Sequence, residues 1–242
     1  MKSIWTITKR ELASFFDSLV AYVLIIIFLG LSGFFTWLSG SSNIFLINQA
    51  DLQVFFGISY WTLFFFIPAI TMRTLAEENR SGTLELLSTK AVSDWQIVVG
   101  KFLSSLLLIL IALACTIPYY ITVSKLGNVD HGAVIGGYLG LLMISAAYIS
   151  IGVFSSATTN NQIVAFLLAL FIGIFFQILF GVMASGLRGT LGEILNYLSA
   201  RSHFESLSRG VIDSRDIIYF LSIITIGLLY SQTILSKRNW QS

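Results

Sequence analysis

Six apolar runs, near residues 19–38, 52–72, 102–123, 133–154, 162–184 and 217–236, contain no Asp, Glu, Lys, Arg or His and leave the chain few ways to fold. Each is close to the roughly 20 residues that a helix needs to cross a hydrocarbon layer. Backbone in lipid must satisfy its own N–H and C=O groups, so only helices and closed barrels span a bilayer. Barrel strands alternate over about ten residues, and these runs do not. The expected fold is an all-α integral membrane protein with six transmembrane helices, forming one membrane domain over 1–242. Charged residues make up 11%, against about a quarter in soluble domains. A net charge of +2 gives no basis for a nucleic-acid partner.

Lys and Arg collect on the cytoplasmic side of membrane proteins. Lys2, Lys9, Arg10, Arg73, Arg80, Lys90, Lys101, Lys237 and Arg238 fall on one side, nine in all. Lys125, Arg188, Arg201, Arg209 and Arg215 fall on the other, five in all. This bias places both termini and the 73–101 connection in the cytoplasm. A cleavable signal is not expected, because Glu11 and Asp17 follow Lys9 and Arg10 and the first apolar run is long enough to span.

The 73–101 connection is a charged island between two greasy spans. Ser93 and Gln96 form a capping-box pattern, with Val92 and Ile97 placed as a staple, so a helix is predicted to start at 93 and run into span three. Ser81-Gly82 interrupts the island upstream. Residues 83–88 then put Leu84 and Leu87 on one helical face and Glu85 on another, predicting a short surface helix. Thr8 to Glu11, between Ile7 and Leu12, repeats the cap-and-staple pattern and predicts an N-terminal interfacial helix over 1–18. Gly100-Lys101 predicts close helix packing and a lysine snorkelling to the interface.

On the opposite side, residues 185–216 predict an amphipathic or re-entrant segment built on one short helix, with Ile194, Leu195, Leu198, Phe204 and Leu207 spaced along one helical face. Gly136-x-x-x-Gly140 in span four permits close helix approach, within the chain or at a dimer seam. The aromatic span two, FFGISYWTLFFFIPAI, suits either a transport path or lipid contact. Cys115 lies in an apolar run and is expected to be a small buried hydrophobe.

Catalytic patterns are lacking. There is no phosphate-binding G-x-x-x-x-G-K-[ST], no H-E-x-x-H and no Cys/His cluster. Glu77-Glu78 lacks the membrane-embedded histidines of the prenyl-protease pattern. No catalytic, metal or cofactor-binding residue is therefore assigned. Proton and sodium carriers usually hold ionisable groups in their spans, and these spans have none. If the chain moves a solute uphill, the energy is expected to enter from outside the bilayer, through the 73–101 island.

These residues carry a family resemblance. A-E-E-N-R-S-G-T-L-E-L-L followed by V-S-D-W-Q-I-V-V-G-K-F resembles the signature of ABC-2-type transporter permeases between spans two and three. The opening W-T-I-T-K-R-E-L-A-S-F-F-D-S-L-V-A-Y-V and the closing H-F-E-S-L-S-R-G-V-I-D-S-R-D are similar to those subunits too. Within the superfamily the chain resembles the gliding-motility permeases of Bacteroidetes, and is also similar to permeases of the copper-processing system of nitrous oxide reductase. It departs from the common pattern at Leu19 and Ala91, where relatives often have proline.

The resemblance implies a non-enzymatic permease subunit in a bacterial inner membrane. It implies a separate ATP-binding subunit that holds ATP and Mg, and a second permease as a copy or paralogue. Glu77, Glu78, Arg80, Gly82, Thr83 and Glu85 map onto the coupling helix that meets the ATPase, and Lys9, Arg10 and Glu11 onto the interfacial helix. The alternative is a membrane anchor for a motility or secretion machine.

Overall fold

The computed structural model describes residues 2–38, 51–82, 92–187 and 189–238, and the described residues form helices and connections without a strand. The N-terminal helix is α1 (Lys2–Asp17). Span one is α2 (Val20–Gly33), extended by a π-helical turn over Phe34–Leu38. Span two is α3 (Gln53–Thr71) followed by the short α4 (Ala76–Ser81). Span three is α5 (Asp94–Ala114) and α6 (Ile117–Leu126), and span four is the unbroken α7 (His131–Thr158). Span five is α8 (Gln162–Ile174), a π-helical turn at Phe175–Leu179 and α9 (Phe180–Gly186). Two short helices, α10 (Thr190–Leu198) and α11 (Ala200–Ser208), precede span six, α12 (Ser214–Arg238). All six expected spans are present, and each is long and apolar enough to cross a membrane.

Span four is the axis of the bundle: α7 packs against α3, α5, α8, α11 and α12. Its small residues make this possible, with Gly136 facing the Leu207 carbonyl and Gly140 facing the Phe204 ring, so the predicted small-residue pair seats α11 within the chain. Apolar side chains in lipid gain nothing from water exclusion, so helix association there rests on such close packing. The outer spans face outward with Ile26 on α2 and Leu38 on its π-helical extension, Leu167 and Phe171 on α8, and Leu229 and Tyr230 on α12.

Several expectations change. Span two is chiefly core: Phe55, Phe56, Tyr60, Phe64 and Ile67 are buried, and Trp61 and Phe65 are the exposed aromatics of the helix. Cys115 is exposed, because α5 ends at the turn before Pro118 and the thiol faces outward there. Thr8 is not a cap. Helix α1 already begins six residues earlier, and the Thr8 hydroxyl donates back to the Ile4 carbonyl at 2.9 Å, as mid-helix threonines do. The single outer helix is split at Ser199 into α10 and α11.

Between α1 and α2 the chain turns through Leu19, at φ 60°, ψ −9°. This left-handed conformation is strained for a residue with a Cβ, and proline, fixed near −65°, cannot adopt it. The break between α3 and α4 is held differently. Ser156 on α7 accepts the Leu75 and Ala76 N–H groups at 3.0 and 2.9 Å and donates to the Met72 carbonyl at 3.0 Å. One hydroxyl thus satisfies three backbone groups at a turn inside the bundle, where water cannot readily replace a missing partner.

Candidate functional site

Helix α1 buries Ile7, Thr8 and Phe15 against the bundle and exposes Lys9 and Arg10. It lies along the start of α5, where Gly100 admits it: a Cβ at Gly100 would fall 2.7 Å from Ile7 Cγ2. Thr8 Oγ1 is also 3.2 Å from the Gly100 carbonyl, fixing the two helices in register. The next α5 residue is Lys101 and the next turn of α1 presents Glu11, so the register forces them together.

Lys101 Nζ is 3.3 Å from Glu11 Oε2 and 2.9 Å from Glu78 Oε1, and its side chain is only 1% exposed. Arg10 completes the cluster, 2.6 Å from Glu11 Oε1 and 3.6 Å from Glu78 Oε1. Two cations and two carboxylates from α1, α4 and α5 therefore neutralise one another at one end of the bundle. A buried ammonium requires such partners, because desolvation costs several kcal/mol per ion. Burial alone would raise the Glu11 carboxyl, but Lys101 and Arg10 together outweigh it and hold it below the usual carboxylate range. The hydrogen bond to Glu11 raises Arg10, against the opposing effect of burial.

Helix α4 supplies Glu78 from its first turn, where a carboxylate complements the helix dipole. The same helix turns Glu77 and Arg80 to solvent, and Gly82 ends it at φ +70°, a conformation suited to glycine. The predicted break at Ser81-Gly82 is therefore present. Nearby, Arg73 donates to the Ser18 hydroxyl at 2.9 Å and lies 5.4 Å from the Phe15 ring centre, tying the end of span two to the α1–α2 elbow. Downstream, the Ser93 capping box is formed by reciprocal bonds with Gln96.

Of the sequence-predicted site residues, the structure brings Arg10, Glu11 and Glu78 together and leaves Lys9, Glu77, Arg80 and Gly82 outside the cluster. Thr83 and Glu85, with the predicted surface helix over 83–88, lie outside the described residues. Lys101 corrects the snorkelling expectation: its ammonium is buried and paired. A signal for this was present. With a helix fixed at Ser93, Lys101 falls four residues from Ile97 and seven from Leu108, on the face that packs inward.

The gathered groups include no hydroxyl or thiol nucleophile. The arrangement instead joins three helices: Glu78 of α4, Lys101 of α5 and Arg10 and Glu11 of α1 form one continuous ion-pair network.

A family model described as ABC-2 family transporter protein matches residues 39–236. No curated protein matches the chain.

Proposed function

This chain belongs to the ABC-2 family of transporter proteins, a multi-pass permease subunit whose family implies an ABC ATP-binding partner, and from that premise we propose that its ion-pair cluster is the joint through which the ATPase drives the spans. The solvent-facing side of α4, with Glu77 and Arg80, and the chain beyond Gly82, including Thr83 and Glu85, form the surface that docks on the ATP-binding subunit. A rigid-body movement of that surface passes to α5 and α1 and reorients a path between two permease subunits, giving alternating access. ATP and Mg are held by the partner, and this subunit contributes no catalytic residue. The Lys and Arg bias supports an orientation with both termini and α4 in the cytoplasm of a bacterial inner membrane. A role linked to gliding motility is supported by the likeness of the three motifs to those permeases.

The observation that carries this reading is the buried Lys101 between Glu78 and Glu11, which ties α4 to α5 and α1. The test is ATP hydrolysis by the complex of this permease with its ATP-binding subunit. Glu77→Lys with Arg80→Glu, both on the solvent face, is expected to abolish stimulation of the ATPase while the permease still folds. Unchanged hydrolysis would overturn the coupling role and favour a membrane anchor.

A further inference from the structure

At the end of the bundle opposite α1, the first and last residues of the closing motif meet. His203 Nδ1 lies 2.6 Å from Asp216 Oδ1, and His203 Nε2 lies 2.7 Å from the Tyr197 carbonyl. A carbonyl only accepts, so Nε2 carries hydrogen, and the short Nδ1–Oδ1 contact needs a proton between its two atoms. His203 also stacks on Tyr219, with ring centres 4.0 Å apart. Imidazole and carboxyl are thus locked in place, each more than nine-tenths buried.

This leaves Asp216 Oδ2 buried and without a hydrogen-bond donor among the described residues. Buried carboxylate oxygens are costly when unpaired. Asp216 and His203 border an opening of about 300 Å³, where Glu193, Asp213 and Arg215 are the other charged groups. Arg215 is exposed and forms no ion pair with a described residue. The opening adjoins the first turn of span six; Leu191 and Ile194 of α10 and Ile218 of α12, two helices that line it, are exposed, as is Ile212 beside Asp213.

We propose that this opening binds the headgroup of a zwitterionic aminophospholipid, with its ammonium donating to Asp216 beside Glu193 and Asp213 and its phosphate on Arg215. Each alternative leaves a group unanswered. A simple anion meets Glu193, Asp213 and the unpaired Asp216 oxygen, and a simple organic cation leaves the guanidinium unpaired. Among the described residues no set of three His, Cys, Asp or Glu side chains is arranged to hold a metal. The apolar residues around the opening take the acyl chains, which a free headgroup lacks. The inference goes beyond the coupling role and stands independently of it.

The test is native mass spectrometry of the full chain released from detergent, titrated with dioleoyl phosphatidylethanolamine, phosphatidylcholine, phosphatidylglycerol or free phosphoethanolamine. Phosphatidylethanolamine is expected to be retained about tenfold better than phosphatidylcholine, which has no N–H, or phosphatidylglycerol, which has no cation. Glu193→Gln with Arg215→Gln, both exposed, is expected to remove about tenfold of that retention, whereas Arg201→Gln on the same outer segment keeps it. Equal retention of the three lipids, or no effect of the double substitution, would overturn the proposal. Tight binding of free phosphoethanolamine would overturn its lipid assignment in favour of a soluble ligand. ATPase coupling is not read in this experiment, so the two proposals fail separately.

Discussion

Lys101 of α5 and Glu78 of α4 are joined by a 2.9 Å ion pair, with the lysine side chain 1% exposed. Removing one partner of such a pair leaves an uncompensated buried charge, at about 3–5 kcal/mol. Lys101→Met is therefore expected to lower stability by about 3 kcal/mol in thermal unfolding. Lys101→Met with Glu78→Leu should cost less than the sum of the single changes, because the second removes the stranded carboxylate. Strict additivity would show that the pair acts as two independent surface charges.

The Glu11 carboxyl is held below its ordinary value of 4.5 in the folded chain. It therefore contributes stability that is complete above about pH 4.5 and is lost as pH falls through the lowered value. The Trp5 share of the fluorescence, taken as wild type minus Trp5→Phe, reports on α1. It is expected to hold steady from neutrality down to that window and then shift. In Glu11→Gln the acid-dependent part attributable to this carboxyl should vanish; an identical profile would detach Glu11 from the anchoring of α1.

At the α1–α2 elbow, Leu19 is held at φ 60° and the residue is 66% exposed. Leu19→Gly should relieve about 1 kcal/mol of backbone strain, offset in part by a more flexible unfolded chain. Leu19→Pro should destabilise, because the proline ring fixes φ near −65°. Thermal melts of both variants give the sign directly.

Ser156→Ala leaves the Leu75 and Ala76 N–H groups and the Met72 carbonyl without the hydroxyl that now serves them. A loss of about 2 kcal/mol is expected. Amide exchange should rise at residues 75 and 76, where α4 starts, ahead of α3. Protection unchanged there would mean that another group supports the break.

The spans, the break at Gly82 and the cap at Ser93 were legible because each depends on local properties: apolar length, backbone freedom and a side chain within reach of its own helix. Thr8 misled for a local reason too, since its hydroxyl suits a cap or a back-bond to the preceding turn, and only the earlier helix start decides between them. The ion-pair cluster was half visible. Arg10, Glu11 and Glu78 stood out as charges, but their meeting depends on α1 docking over Gly100, a contact between residues far apart in sequence. The His203–Asp216 contact was hidden because an expected single helix is broken at Ser199, which turns α11 back toward span six.

Cys115 has a practical consequence. It is the sole thiol in the chain and it faces outward at the turn where span three changes from α5 to α6. A maleimide spin label or fluorophore added to this sequence would attach at this one turn, ready to report on the surroundings of the α5–α6 junction.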